Sequence, residues 1–368
     1  MTGVVRLGVI GCGLIAQARH MQFFRELNGL SLEAVCDISP GTAEAVGDRF
    51  GVKKRYYQHQ ELLADPDIDA VAVFTYDHAP VVLDAIAAGK HVFVEKPLAF
   101  TPAEARQIQE AADKAGVLVM VGYMKVYDPA FEWAAGRIKA QGRPRSIYLH
   151  DYAGNFEQLR RKDVLPIRVD DVPEAVAARR QKWTPEVVAR VAEALGPDHA
   201  GYAELYVVLL MLGCHDLAVL CEIFGPPAAV RYAQQLDETT LLAVLEYADG
   251  VPCTFEVGVG AKYEWWDEHL TVYGQTDEVR LEFGNPFVPF SPTVVRVREG
   301  EPEVRSEATI GVAYDDAFRR EWVHFIECVT TGRAPRTPIS AGARDIDLCI
   351  DIIRAMPPRR RDEQPDHS

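Results

Sequence analysis

A glutamate and a lysine stand together at the predicted end of a buried strand. The apolar run His91–Val94 is followed directly by Glu95, Lys96 and Pro97. Proline lacks the backbone N–H that a sheet interior needs, so the strand ends here. In open α/β sheets ligands bind at the carboxyl edge of the strands, where one lysine can meet two ligands together. A surface ion pair before a turn is the alternative interpretation.

A second candidate for proton chemistry is His215, in the apolar segment Leu209–Leu220, which we predict to be one helix. An imidazole titrates near neutrality, so it can take a proton from a hydroxyl group and return it. A lone histidine in an apolar helix is more often a packed core residue. The residue types alone leave both interpretations open.

A strand and a glycine-rich loop at the amino terminus would position these groups. Val4–Ile10 predicts the strand, and the next residues have G-x-G-x-x-A spacing that ends at Ala16. In this motif the first glycine makes a tight turn, the second lets the backbone approach a pyrophosphate, and the alanine permits close helix packing. We therefore predict a dinucleotide-binding loop made by Gly11, Gly13, Leu14 and Ile15.

A second predicted strand, Leu32–Cys36, ends in Asp37. An acid about 20 residues after the loop binds the adenosine ribose hydroxyls and disfavours the extra phosphate of NADP. The sequence continues with Ile38, Ser39 and Pro40, without an adjacent Arg or Lys. We therefore predict NAD rather than NADP as the cofactor. Asp37 could instead cap the helix after Pro40, and both roles could hold together.

Several stretches together resemble the Gfo/Idh/MocA family, the relatives of glucose-fructose oxidoreductase and inositol dehydrogenase. The resemblance spans nearly the whole chain. It rests on the glycine loop and on Ala88–Pro97, Gly122–Pro129, Gly213–Asp216 and Phe318–Gly332.

The order of predicted elements gives the domain organisation. Strands and helices alternate from Val4 to about Gly122, which is the doubly wound pattern. We expect an α/β Rossmann domain over residues 1–122, followed by an α+β domain with a mainly antiparallel sheet over residues 123–356. The predicted strands of that sheet are Ser146–Tyr152, Val230–Gln235, Leu241–Tyr247, Cys253–Val259, Leu270–Tyr273 and Val279–Phe283.

Two further segments have distinctive composition. Residues 157–200 look like a helical insertion, with two helices predicted in Pro173–Leu195. We expect this insertion to wall the substrate pocket, although a charge-rich helical pair is commonly a solvated face. The polar, proline-containing tail 357–368 is expected to be disordered.

The resemblance implies roles for particular residues. His215 matches the family's catalytic histidine, the base that acts on the substrate hydroxyl, and Lys96 would hydrogen-bond the substrate oxygen. Glu95 would orient the strand end and the cofactor rather than transfer protons. His78 aligns in a turn that is two residues shorter than usual, and we expect it to cap the following helix near the cofactor. The remaining expected cofactor contacts are Asp37, Ile38, Thr75, His78, Glu95, Lys96 and Pro97.

One departure concerns the proton relay. Many family members carry an aspartate four residues before the histidine, where this chain has Met211. Asp216 cannot be assumed to replace it, because adjacent helical residues point about 100° apart. Substrate contacts are expected from Lys125, Tyr127, Asp151, Asn155 and Asp216, a polar set that suits a polyol. Asp151 and Asn155 could equally be turn residues.

Composition restricts the partners and the compartment. A net charge of −15 argues against nucleic acid and anionic membrane surfaces. The chain enters a strand within four residues and shows no leader, so we expect a cytoplasmic protein. His215, Asp216 and Glu222 interrupt the apolar stretch 206–224, which favours a buried helix over a membrane span. Seven isolated cysteines predict reduced packing residues without a metal site: Cys12, Cys36, Cys214, Cys221, Cys253, Cys328 and Cys349.

We therefore expect an NAD-dependent dehydrogenase that oxidises a secondary alcohol of a sugar, aminosugar or cyclitol, or reduces the ketone, and that forms a homodimer or homotetramer through the second sheet. One alternative is an enzyme that recycles tightly held NAD in place during epimerisation or glycoside cleavage, which Met211 keeps open. Another is a non-catalytic dinucleotide-binding regulator. Retention of both Lys96 and His215 argues against the regulator.

Overall fold

The computed structural model describes residues 3–154, 166–174, 184–259, 266–288, 291–301 and 303–360. The chain forms two compact units, and each combines separate stretches of sequence. The first unit is Met1–Tyr123 with Arg161–Arg190 and Phe318–Ile346; the second is Met124–Arg160 with Val191–Ala317 and Asp347–Ser368. The simple division predicted between residues 122 and 123 remains a proposal.

The first unit is built on a six-stranded parallel sheet with the order β3-β2-β1-β4-β5-β6 among the described residues. This is the doubly wound order, so the predicted Rossmann domain is confirmed. Strands β4 and β6 are short apolar runs in which every residue is buried, as parallel sheets covered by helices require. The strands are β1 Val5–Ile10, β2 Leu30–Cys36, β3 Lys54–Tyr56, β4 Ala70–Val73, β5 His91–Glu95 and β6 Val119–Gly122.

The helices of this unit begin at side chains that satisfy their free N–H groups. In α1, Ser39 is the N-cap and accepts a hydrogen bond from Thr42 N. In α4, Thr101 and Glu104 form a capping box, which satisfies two donors reciprocally. The helices are α1 Pro40–Phe50, α2 His59–Leu63, α3 Ala79–Ala87 and α4 Pro102–Ala115.

The second unit contains an eight-stranded sheet with the order β14-β13-β12-β11-β7-β10-β9-β8 in the described parts of the chain. Only the β7–β10 pairing is parallel among them, so the predicted, mainly antiparallel sheet is confirmed. The strands are β7 Ser146–Ala153, β8 Ala229–Gln235, β9 Leu241–Glu246, β10 Pro252–Val259, β11 Asp267–Tyr273, β12 Asp277–Glu282, β13 Val294–Glu301 and β14 Val304–Ile310. We did not predict the last two, although Val and Arg alternate at positions 295–298 with the period of a strand.

The remaining helices are distributed along the rest of the chain. They are α5 Pro129–Ala140, α6 Pro185–Leu195, α7 Ala203–Leu212, α8 Cys214–Phe224, α9 Ala317–Thr331 and α10 Ile339–Arg354. Of the predicted insertion 157–200, the structure describes residues 166–174 and 184–200, which include α6; residues 157–165 and 175–183 lie outside the described residues. Arg190 of α6 bonds Asp77 at 2.5 Å and also Glu104, both within the first unit. The predicted role of the insertion as a pocket wall is untested.

The single helix predicted around His215 is wrong. The chain breaks at Gly213, and Ala200–Leu212 and Cys214–Phe224 are bent by 57°. A Cβ at Gly213 would lie 2.9 Å from Phe255 Cζ and 3.1 Å from Leu209 O, so close packing requires glycine at the break. His215 therefore lies in the first turn of α8 rather than in mid-helix. No described helix alone is long and apolar enough to cross a membrane, although this bent pair reaches the required length and composition together.

The tail is ordered at its beginning. Arg359 N donates to Asp198 O at 2.7 Å, and its guanidinium lies 4.0 Å from the centroid of the Tyr202 ring. Tyr202 in turn donates to Pro357 O. Disorder was predicted from residue 357 and is wrong for residues 357–360; residues 361–368 lie outside the described residues.

All seven cysteines are buried thiols, as predicted.

Thr101→Ala should lower the free energy of unfolding by about 1 kcal/mol, because the capping box of α4 loses its hydroxyl acceptor. Chemical denaturation of the purified protein measures the change. Thr101→Ser is the matched control, since it keeps the hydroxyl. Equal stability of the two variants would contradict a capping role.

Candidate functional site

The glycine loop of the first unit has the geometry that a dinucleotide needs. Gly11 follows β1 with φ of +94°, and a Cβ there would lie 2.8 Å from the carbonyl carbon and oxygen of Phe74. Only glycine fits this turn. A Cβ at Gly13 would meet nothing within 4 Å, so its backbone faces open space. Leu14 and Ile15 follow in a helical conformation and are half-buried. These residues fit a bound pyrophosphate.

Asp37 lies at the carboxyl end of β2, beside the glycine loop. Its Oδ2 accepts a hydrogen bond from Cys12 N, and its Oδ1 accepts one from Ser39 N, both at 2.9 Å. The N-cap of α1 is Ser39, so the alternative in which Asp37 caps this helix is wrong. An ionised carboxylate has about four acceptor positions, so Asp37 keeps acceptor capacity for a ribose hydroxyl. Ile38 follows it and is half-buried.

His78 has a different role from the one predicted. It occupies the N-cap position of α3 but makes no capping hydrogen bond. Its Nδ1 lies 2.6 Å from Pro97 O, an acceptor, so Nδ1 carries the proton. Burial lowers the pKa of His78 below its usual value, which favours the neutral ring. The side chain thus ties the turn after β4, where Thr75 donates to Asp77 O, to the turn after β5.

Glu95 is buried at the end of β5 and is held on both sides. His20 Nε2 lies 2.9 Å from its Oε1, and Lys96 N donates to its Oε2 at 3.0 Å. Burial opposes ionisation, but the hydrogen bond from His20 and the charge of Lys96 lower the pKa of Glu95 below its usual value. Glu95 therefore fixes the backbone at Lys96, whose own side chain is half-buried.

The tautomer of His20 follows from a third residue. Trp322 Nε1 lies 3.0 Å from His20 Nδ1, and an indole N–H can only donate. Nδ1 is therefore the acceptor, and Nε2 carries the proton that is donated to Glu95. The ring of His20 is fully buried and stacks on Phe74 at a centroid distance of 4.4 Å. Neither His20 nor Trp322 was predicted, because nothing in the sequence connects positions 302 residues apart.

Three of the predicted substrate residues form a buried ionic cluster with Glu268, which was not predicted. The ionic cluster is defined here as Lys125, Asp151, Asp216 and Glu268. Lys125 Nζ donates to Glu268 Oε1 and lies 3.6 Å from Asp216 Oδ1. Asp151 on β7 stands directly opposite Glu268 on β11, which places both side chains on one face of the sheet. Glu268 was missed, since its strand was predicted to begin only at Leu270. Its second oxygen accepts a hydrogen bond from Trp266 Nε1 at 2.7 Å.

The cluster holds three carboxyl groups and one ammonium. Burial is the largest effect on both Asp216 and Glu268: it raises the pKa of Asp216 well above its usual value and that of Glu268 to about 8, although Lys125 opposes both shifts. Burial tends to neutralise Lys125, but the surrounding carboxylates raise its pKa above the usual value. The lysine thus stays charged while the acids share protons.

A cation could in principle replace the lysine among these acids. Candidate oxygens of Asp151, Asp216 and Glu268 lie within 4.8 Å of one another. The Lys125 ammonium already lies among these acids, 3.6 Å from Asp216 Oδ1 and bonded to Glu268.

The other predicted residues of the second unit are not members of this cluster. Tyr127 is buried in the 3-10 turn Met124–Tyr127 that also carries Lys125. His215 is buried next to Asp216 in α8, and Met211 lies in the last turn of α7. Asn155 lies outside the described residues. Substrate contact by any of these residues stays a prediction.

Removing His20 should destabilise the protein, because the buried carboxylate of Glu95 loses one of its two hydrogen-bond donors. We expect His20→Leu to lower the free energy of unfolding by about 3 kcal/mol. In a Glu95→Gln background the same change should cost at least about 1 kcal/mol less, because no charge is left without its donor. Denaturation of the four proteins in the cycle measures this coupling. Strict additivity would show that the hydrogen bond does not contribute.

The raised pKa of Glu268 predicts a pH dependence of stability. Its value rises from 4.5 to about 8, so the folded chain holds a proton that the unfolded chain releases in that window. The contribution of this proton to the free energy of unfolding should be fully present below pH 4.5. It should fall by a few kcal/mol as pH rises to 8, since one pKa unit corresponds to about 1.4 kcal/mol.

Urea denaturation across this window would measure the decline. Glu268→Gln should flatten it, whereas Glu299→Gln, an exposed acid of the same sheet, should not. An unchanged decline in Glu268→Gln would assign the proton to another group.

Curated relatives match a little over a third of the chain. An inositol 2-dehydrogenase from Salmonella typhimurium is 34% identical over 131 residues, 34% of this chain and 39% of the relative. A scyllo-inositol 2-dehydrogenase (NAD(+)) from Bacillus subtilis is 34% identical over 146 residues, 39% of this chain and 43% of the relative. The chain thus spans well under half the length of these relatives.

Solved structures match over nearly the whole chain. An aldose-aldose oxidoreductase from Caulobacter crescentus has a TM-score of 0.74 at 22% identity and covers 96% of this chain and 97% of its own. A 3-ketoreductase from Actinomadura kijaniata, solved with NADP, has a TM-score of 0.71 at 20% identity and covers 94% of this chain and 96% of its own. At such identities the likeness supports the fold alone.

Two family profiles complete the comparison. One, described as an oxidoreductase family with an NAD-binding Rossmann fold, matches residues 5–123. The other, described as the α/β carboxy-terminal domain of an oxidoreductase family, matches residues 207–361. Together they cover most of the sequence, and the chain belongs to the Gfo/Idh/MocA oxidoreductase family.

Proposed function

We propose that the protein is an NAD-dependent dehydrogenase of a secondary alcohol on a sugar, aminosugar or cyclitol, or a reductase of the corresponding ketone. One observation carries the proposal: Gly11, Asp37 and Lys96 directly follow parallel strands of one sheet, and Thr75 lies two residues after another, all at the carboxyl edge. Ligands of doubly wound sheets bind at this edge. The names of the inositol dehydrogenase relatives support a polyhydroxylated substrate.

The proposed chemistry divides between the cofactor and the chain. Bound NAD supplies the acceptor for the hydride that leaves the alcohol carbon. His215 takes the hydroxyl proton, and the carbon–oxygen bond becomes a carbonyl. Lys96 donates a hydrogen bond to the reacting oxygen, and Glu95 keeps the Lys96 backbone in place through its hydrogen bond with Lys96 N. In ketone reduction the proton and hydride move the opposite way.

NAD is proposed over NADP because Asp37, at the carboxyl end of β2, is the proposed ribose-binding acid, and both of its carboxylate oxygens accept backbone hydrogen bonds. A negative group held there repels an additional phosphate. Related folds include a 3-ketoreductase solved with NADP, so the preference needs its own measurement.

An enzyme that recycles NAD in place is the second candidate. The observation that favours it is Met211, which lies four residues before His215, in the last turn of α7, where many family members have an acid. Without that acid the proton relay lacks one group, so an enzyme that releases no reduced cofactor stays a candidate.

A homodimer or homotetramer through the second sheet and a cytoplasmic location are further proposals.

Lys96→Ala and His215→Ala should each reduce turnover by at least about 100-fold, the scale of acid–base groups. Absorbance of reduced nicotinamide, with NAD or NADP and a panel of sugars, aminosugars and inositols, measures turnover. Lys114→Ala, an exposed lysine on α4, is the control and should retain full activity. Wild-type rates in either active-site variant would remove that residue from the mechanism. A chemically altered substrate without accumulated reduced cofactor would favour recycling in place.

A further inference from the structure

The segment 166–171 lies against the glycine loop within the first unit. Gln17, four residues after Gly13, is buried and holds it by its side-chain amide. Gln17 Nε2 donates to Cys12 O at 2.6 Å and to Ile167 O at 2.9 Å, while its Oε1 accepts from Ile167 N at 2.9 Å. The amide thus pairs with Ile167 as a neighbouring strand would, and it fixes the segment beside the loop.

The same segment continues to the start of α1. Val169 N donates to Thr42 Oγ1 at 3.0 Å, and Ser39 Oγ lies 3.1 Å from Val169 O. Asp171 then turns its carboxylate to the helix: Oδ2 accepts from Gly41 N at 2.7 Å, and Oδ1 accepts from Ser39 Oγ. A Cβ at Gly41 would lie 2.7 Å from Asp171 Oδ2, so the close approach needs glycine.

Asp171 uses the one backbone donor that the first turn of α1 leaves available. Pro40 has no N–H, Thr42 N donates to Ser39 Oγ, and Ala43 N donates to Ser39 O. Gly41 N therefore remains, and Asp171 occupies it. A helix N-terminus attracts anions through its free N–H groups and its dipole. Here the anion comes from the chain itself.

The position of this carboxylate bears on the choice of cofactor. The residues directly after the acid at the end of β2 are those that meet the 2′ position of the adenosine ribose in this fold. NADP carries its extra phosphate at that position, and NAD carries a hydroxyl. A phosphate would meet the Asp171 charge beside that of Asp37, at a helix terminus whose donors are already used.

We propose that Asp171 is a specificity-determining residue that excludes NADP by occupying the anion-binding start of α1. The inference rests on the proposed function in one respect, that the Rossmann domain binds a nicotinamide dinucleotide. NAD leaves the hydrogen bonds of Asp171 intact. NADP has to displace the carboxylate or accept its repulsion, and either costs affinity.

Dissociation constants for NAD and NADP, measured by titration calorimetry without substrate, test this proposal. We expect wild-type protein to bind NAD more tightly than NADP. Asp171→Ser should strengthen NADP binding by at least about tenfold and change NAD binding by less than about threefold, because like-charge repulsion acts on the phosphate alone. Asp171→Asn, which keeps the shape and removes the charge, should move the ratio in the same direction.

Asp170→Ser is the matched control, since it removes an equal charge one residue away and should leave the ratio unchanged. An unaltered NAD to NADP ratio in both Asp171 variants would overturn the proposal, and so would an equal shift in Asp170→Ser. These results do not depend on turnover. A shifted ratio in a protein without dehydrogenase activity would uphold the role of Asp171 and refute the proposed function. Binding of neither dinucleotide would refute both.

Discussion

The hydrogen bond between His20 and Glu95 is the constraint on which the first unit depends. A carboxylate as deeply buried as Glu95 is tolerated only when donors satisfy it, and the structure supplies two. One donor is the His20 ring, whose tautomer is set by Trp322 of α9. The other is the backbone of Lys96. The requirement to satisfy the charge of Glu95 thus holds together the end of β5, the segment after the glycine loop that carries His20, and helix α9.

The second unit handles buried charge differently. Three acids there surround one lysine, so hydrogen bonds alone cannot neutralise the cluster, and protons make up the difference. In the first unit hydrogen bonds lower the pKa of the buried acid Glu95 despite its burial, whereas in the second unit burial raises the pKa of Asp216 and Glu268. Each arrangement is anchored on a strand, β5 in one case and the pair β7 and β11 in the other.

Periodic and local features could be predicted from sequence. The apolar runs gave the parallel strands, and the glycine spacing gave the loop, because both depend on adjacent residues. The break at Gly213 was missed, since a glycine in an apolar run does not reveal that Phe255 packs against it. Likewise Trp322 and Asp171 join the site through contacts far apart in sequence, which no local pattern records. Glu268 was within reach, because its strand begins only three residues before the predicted start.

The assembly of the first unit from three stretches of chain has a consequence for protein engineering. Residues 3–123 contain every strand of the parallel sheet, yet Trp322 and Asp171 come from the other two stretches. A nucleotide-binding cassette cut at Tyr123 and fused to another protein would leave His20 without its indole donor and α1 without its carboxylate. A transplanted Rossmann domain that keeps both contacts would therefore have to carry all three stretches.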